Sequence, residues 1–205
     1  MDSREIEDSF TDIYHANYWR GRVSRSGQGS DPEQTQGVMV ALKDFVLRKA
    51  VHSVLDLGCG DVSWQESLMM TVDGYTGVDV VGDMVENNRR TFATYSPTFI
   101  QADITRYPIP YASMILCRDV LCHLFYEDAL RLIDNVRKSG AYYFVSTTFP
   151  YHDNPAKAPG PMAWYAINLT DAPFRLPEPV ELLVEYCPVL GFNDKTLGVW
   201  RVAEM

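Results

Sequence analysis

The chain has little cysteine, no long apolar run, no excess of positive charge and no complete dinucleotide fingerprint. Each shortage removes a class of function. The four cysteines, Cys59, Cys117, Cys122 and Cys187, include no CxxC pair and no cluster with metal-ligand spacing. They read as buried free thiols of a reducing compartment, not as a disulfide framework or a zinc site. No apolar stretch approaches the roughly 20 residues that span a bilayer. The opening MDSREIEDSF is acidic and lacks the apolar core of a secretory signal. A cytoplasmic protein with no membrane partner is therefore expected. The formal net charge is −9, without the basic footprint that binding to phosphate backbones needs. Nucleic acid is not expected as a partner.

What is present is one domain, residues 1–205. With 46% hydrophobic and 22% charged residues, the chain is long enough for one buried core and too short for two ordinary domains. Residues 1–33 are polar around an aromatic knot, IYHANYWRGR, followed by the Gly/Ser-rich SRSGQGSDPE. So many aromatics predict a cap folded back over the active site rather than a disordered tail. From Gln34 to Lys49, Val38, Leu42, Phe45 and Val46 recur at helical spacing. VHSVLDL, GYTGVDV, PTFIQADI, ASMILCRDVL and AYYFVSTTF read as strands. SWQESLMM, GDMVENNRRTFATY and YEDALRLIDNVRKSG read as the helices between them. That alternation predicts an α/β protein whose parallel sheet is covered by helices on both faces. Residues 150–179 hold more than half of the twelve prolines and read as a stiff ordered loop, the natural place for substrate choice. PVELLVEYCPVL and KTLGVWRVAEM follow as a closing antiparallel hairpin.

The chemistry starts at VLDLGCGDVSW, Val54 to Trp64. A dinucleotide fingerprint would place a third glycine where Ser63 stands, with Trp64 behind it and Asp61 adding negative charge. These residues disfavour a diphosphate at the helix start and favour a nucleoside with a cationic tail. Gly58 and Gly60 let the backbone approach a ligand. Asp79 stands about 20 residues after the turn, at a strand end, where a carboxylate grips a ribose diol. Asp56 and Asp103 sit at successive strand ends with it.

VLDLGCG, GVDV and QADI together resemble the sequence motifs of class I S-adenosylmethionine methyltransferases, over about residues 34–149. The resemblance implies a Rossmann-like, doubly wound, mostly parallel seven-stranded sheet with a C-terminal antiparallel hairpin. It implies S-adenosylmethionine as cofactor, with Gly58 and Gly60 at the methionine part, Asp79 at the ribose, and Asp103 with Ile104 at the adenine. YHANYW, SGQGSDPEQT, ILCRDVLCHL, STTFP and NLTDAPFRLPEP resemble short bacterial sugar-type O-methyltransferases, including the methylmannose-polysaccharide enzymes of mycobacteria. This second resemblance implies an acceptor that is a sugar or a methylmannose oligosaccharide, with assistance from magnesium (Mg2+).

A sugar hydroxyl is uncharged at neutral pH and needs a general base or a metal. In CRDVLCHL, Asp119 and His123 are four residues apart and share a face if the segment is helical. His123 is the candidate base, and Asp119 either orients it or binds substrate. Its competing reading is a packed core histidine. His15 and His152 are the rival bases. Arg118 would hold the cofactor tail or a substrate hydroxyl, or form a surface salt bridge. Ser30 would bind the cofactor carboxylate. Tyr14, Tyr18 and Trp19 would stack on a sugar ring, cover the cofactor or plug the mouth. Trp164, Tyr165 and Asn168 would line the acceptor site, while His52 reads as structural. Asp12, Glu33, Asp119 and Asp153 are oxygen donors suited to magnesium, with no spacing that selects a set. An N- or C-methyltransferase of a small metabolite, a non-catalytic S-adenosylmethionine-binding protein and a nicotinamide oxidoreductase are the other readings. The oligomeric state is open, and a homodimer is compatible with everything above.

Overall fold

The structure, a computed structural model, describes residues 1–205, the side chain of Tyr95 excepted. Five parallel strands form over the short apolar runs of the first 150 residues. They are β1 (Ser53–Leu57), β2 (Gly74–Asp79), β3 (Thr98–Gln101), β4 (Met114–Cys117) and β5 (Tyr143–Thr148). Two more close the sheet, β6 (Glu181–Val184) and β7 (Thr196–Arg201). The order is β3-β2-β1-β4-β5-β7-β6, with β7 antiparallel to both of its neighbours. This is the expected Rossmann-like, mostly parallel seven-stranded sheet with an antiparallel end.

Side chains alternate across each strand and feed two cores. Leu55, Leu57, Ile115, Phe144 and Trp200 join one core, with Leu132 and Val136 of α5 (Tyr126–Lys138). Val54, Met114, Leu116, Val145 and Val199 join the other, with Val38, Leu42 and Phe45 of α2 (Pro32–Arg48) and Val85 of α4 (Gly82–Thr91). All four cysteines are buried and free. The chain leaves β1 toward β2 and β3, then returns to β4 on the other side. That reversal opens a crevice beyond the carboxyl ends of β1 and β4, where ligands of open α/β sheets sit.

Three local expectations change. Residues 3–16, read only as part of a polar cap, form α1 (Ser3–Ala16). Asp2 caps it and Glu5 completes a capping box, while Ile6, Phe10 and Ile13 share one face against the domain. The helix expected over SWQESLMM is a single turn, α3 (Glu66–Met69), because buried Gln65 turns inward to bond the Cys59 carbonyl. The segment carrying Asp119 and His123 is not α-helical. Asp119 takes φ 55° and only a 3-10 turn, Leu121–His123, follows. The shared helical face predicted for that pair does not exist.

Residues 150–179 carry no helix or strand, yet they are firmly held. Tyr165, Ile167, Leu169, Phe174 and Leu176 are buried in the α5-side core. Asn168 and Asn154 exchange hydrogen bonds, and the Asn168 amide also reaches the carbonyls of Pro150 and His152. Asn168 and Tyr165 therefore build the loop from inside rather than lining a binding site.

Candidate active site

The glycine turn is welded to β2, with the N–H groups of Gly58 and Cys59 both donating to the Val78 carbonyl at 2.8 and 3.1 Å. Gly58 and Gly60 take φ 71° and 62°, a region open to glycine and strained for other residues. A Cβ on Gly58 would meet Val120 at 2.5 Å, and one on Gly60 would overlap the Ser26 hydroxyl. Asp79 accepts from Gly60 N–H at 3.0 Å and Val81 N–H at 3.1 Å. Burial pushes its carboxyl above the ordinary range despite these bonds. Asp56 receives Tyr75 Oη at 2.6 Å and Gln65 Nε2 at 3.2 Å. Burial pushes its carboxyl up to about 6.

Polar side chains fasten the N-terminal segment over this turn. Buried Asp31 gathers the N–H groups of Arg22, Val23 and Ser24. Asp61 takes the Ser24 hydroxyl and the Arg25 N–H, both at 2.9 Å. Its charge, expected to repel a diphosphate, instead anchors the cap. Asp103 accepts from Ser3, Thr105 and Arg106. Partial burial works against that charge, but the donors outweigh it and hold the carboxyl below its usual range. Phe10, Tyr14 and Trp19 are thereby brought over the crevice, which holds about 950 Å³ of empty space including its open mouth.

Beyond β4 lies a buried cluster of two cations and two anions. Arg118 donates to Glu185 through Nη2 at 2.7 Å and Nε at 3.2 Å, and to the Gly29 carbonyl at 2.9 Å. Its guanidinium carbon stands 5.1 Å from the Trp64 ring centre. Lys195 bonds Asp119 and stands 3.4 Å from Glu185. Burial alone would raise the Asp119 carboxyl, but Lys195 and Arg118 outweigh it and hold it at about 2. Arg118 is thus a buried structural cation. It is not the surface salt bridge foreseen as one alternative, and it also lines the cavity.

His123 stands at the mouth, its ring 4.4 Å from that of Trp19. Its Nδ1 lies 2.8 Å from the Ala163 carbonyl, which only accepts, so Nδ1 carries the proton. Nε2 is left with its lone pair and no protein partner among the described residues. Burial holds the imidazole below its ordinary pKa, which keeps it neutral. The orienting group is a backbone carbonyl of the proline-rich loop. Asp119, expected in that role, is spent on Lys195, Arg118 and Thr147.

Residues 55–145 match the family model described as a methyltransferase domain. Over those residues the chain carries a methyltransferase domain. Among solved structures it is similar to the N-methyltransferase NodS from Bradyrhizobium japonicum WM9 in complex with S-adenosyl-L-homocysteine. That match has 17% identity, a TM-score of 0.69, and covers 95% of this chain and 98% of that one. Magnesium protoporphyrin IX methyltransferase from Synechocystis PCC 6803 with bound S-adenosylmethionine is similar at 20% identity and TM-score 0.57, over 76% of this chain and 81% of that one. An S-adenosylmethionine-dependent methyltransferase from Clostridium acetobutylicum ATCC 824 is matched over 56% of this chain and only 51% of its own, at 17% identity and TM-score 0.49. At such identities the likeness establishes the fold. No curated protein matches the chain.

The residues that line the cavity fit S-adenosylmethionine. Asp79 presents a carboxylate beside the glycine turn, and Ile104 adds an apolar wall. Trp19 Nε1 and Gln65 Oε1, on two lining residues, are buried polar atoms without a protein partner, a state that a polar ligand relieves. Of the residues singled out from sequence, Tyr14, Trp19, Ser30, Asp56, Gly58, Gly60, Asp79, Asp103, Ile104, Arg118, Asp119 and His123 line this one cavity. Trp64 lines it too, and the other candidate site residues lie outside its lining. Tyr18 is exposed, and His15 pairs with Asp83 at 3.1 Å on the surface. His152, Trp164 and Asn168 belong to the loop cluster beside the cavity. Exposed His52 pairs with Asp73. Magnesium does not fit: among the described residues no three His, Cys, Asp or Glu side chains gather to hold a metal ion. Glu33 pairs with Arg22 and Asp119 with Lys195. Lys195, Glu185, Gln65 and Ser26 went unnoticed in the sequence, because no local pattern marks them.

No helix among the described residues is long and apolar enough to cross a membrane.

Proposed function

We propose that this methyltransferase is an O-methyltransferase acting on a hydroxyl of a small acceptor, a sugar or methylmannose oligosaccharide, with His123 as general base. The observation that carries the reading is the His123 Nδ1–H bonded to the Ala163 carbonyl at 2.8 Å, which turns an unprotonated Nε2 loose at the cavity mouth. Bound S-adenosylmethionine supplies a methyl group on a cationic sulfur. Asp79 binds the ribose hydroxyls, Ile104 packs on the adenine, and the backbone at Gly58 and Gly60 lies against the methionine part. Asp56 and Ser30 complete the polar wall. Trp19 and Tyr14 exclude water, which strengthens every interaction inside. As the acceptor oxygen bonds to the methyl carbon and the carbon–sulfur bond breaks, the hydroxyl proton passes to His123 Nε2. Asp103 acts by clasping α1 through Ser3. A cytoplasmic setting suits a soluble sugar acceptor, without a membrane or nucleic-acid partner.

The test is production of S-adenosylhomocysteine across panels of sugar hydroxyls and small amines, for wild type and His123→Ala. A positioned base contributes about 10²- to 10⁴-fold, so the variant should lose that much turnover on a hydroxyl while binding S-adenosylhomocysteine normally. Turnover within a few-fold of wild type, or methylation confined to amines, contradicts the reading.

A further inference from the structure

An aromatic cluster stands beside the cavity and outside its lining. Phe149 lies just beyond β5. The chain returns to it from the proline-rich loop as Trp164 and from the β6–β7 connection as Phe192. Trp164 meets Phe149 and Phe192 edge-on, with ring centres 5.6 and 4.8 Å away. Phe192 stacks nearly parallel on His152, 5.4 Å between centres and 18° apart. Asp194 Oδ2 receives His152 Nδ1 at 3.1 Å and the Tyr151 N–H at 3.0 Å. The carboxylate fixes the imidazole and leaves Nε2 without a protein partner among the described residues. Trp164 is 40% exposed and the His152 side chain 28%, while the Asp194 side chain is 9% exposed. Packing alone gives no reason to set a mostly buried carboxylate behind a partly exposed imidazole, since a buried charge is costly.

Two single-residue steps join this cluster to the reacting end of the cavity. Ala163, whose carbonyl orients His123, precedes Trp164. Lys195, which holds Asp119 in the cavity wall, follows Asp194.

We propose that Trp164, Phe192 and the His152–Asp194 pair form a second saccharide subsite for the ring next to the one methylated, a proposal that rests on the hydroxyl-acceptor reading above. The C–H face of a sugar ring packs on the exposed aromatic surface, and His152 Nε2 accepts a hydrogen bond from a ring hydroxyl. A single ring occupies only the methylation site. A longer acceptor occupies both, and the second contact, made within one complex, raises affinity with chain length.

The test is calorimetric titration of the protein saturated with S-adenosylhomocysteine, using methyl α-mannoside and a linear mannotetraose as probes. Wild type is expected to bind the tetrasaccharide at least about tenfold tighter than the single ring. In Trp164→Ala that ratio falls to about twofold or less. Asp194→Asn, nearly isosteric and therefore safe for folding, lowers the ratio as well, and S-adenosylhomocysteine affinity reports that each variant is folded. A ratio that stays at the wild-type value in both variants overturns the subsite and leaves the hydroxyl-acceptor reading intact. A wild-type protein that binds S-adenosylhomocysteine but neither saccharide overturns both.

Discussion

Replacing Glu185 by leucine tests the buried ion cluster directly. Glu185 and Arg118 have side chains only 1% and 3% exposed, joined at 2.7 Å, and Lys195 lies 3.4 Å from the same carboxylate. The substitution leaves two buried cations facing one anion, Asp119. Uncompensated buried charge costs about 3–5 kcal/mol. For a chain of this length each kcal/mol moves Tm by roughly 2–4 °C, so a fall of about 10 °C is expected. Urea denaturation should show a lower midpoint with an unchanged slope, which marks lost stability rather than a changed unfolded state. Arg118→Met/Glu185→Leu removes both members and leaves Lys195 paired with Asp119. Most of the loss should return, because a buried pair replaced by apolar side chains is about neutral. That double variant should still bind S-adenosylhomocysteine weakly, since Arg118 also holds the Gly29 carbonyl and with it the turn carrying Ser30. A loss under about 1 kcal/mol for Glu185→Leu, or a double variant as unstable as the sum of the singles, would refute the reasoning.

The Asp56 carboxyl is raised from its ordinary value to about 6 by burial. A raised folded-state pKa means that its favourable contribution is complete below about pH 4 and is lost as pH rises through about 6. Asp56→Asn should therefore match wild type near pH 4 and exceed it by about 3 kcal/mol near pH 8; a stability difference flat in pH contradicts this. Gly60→Ala places a Cβ against the Ser26 hydroxyl at a positive φ. It should cost about 1–3 kcal/mol and at least about tenfold in S-adenosylhomocysteine affinity by calorimetry, and unchanged affinity would argue that the turn does not meet the ligand. Because burial keeps the His123 pKa below its usual 6.5, kcat/KM should be level at neutral pH and fall only as pH drops below about 6.5. An acid limb centred above 7 would remove His123 as the base.

The sequence alone determined the sheet, the two closing strands, the acids at the strand ends and the glycine turn. These are local properties: side-chain alternation, strand length and the φ that only glycine adopts readily. Even α1 carried its signal in Asp2, Glu5, Ile6, Phe10 and Ile13, hidden by the polar residues between them. Tertiary structure decided the rest, because a partner's identity depends on juxtaposition. Arg118 meets Glu185 from 67 residues away and Asp119 meets Lys195 from 76. His123 takes its orienting bond from Ala163, 40 residues on, and not from the aspartate four residues before it. A carbonyl has no side-chain identity to read, so no sequence pattern announces it. Only the folded loop places that oxygen where the imidazole needs it.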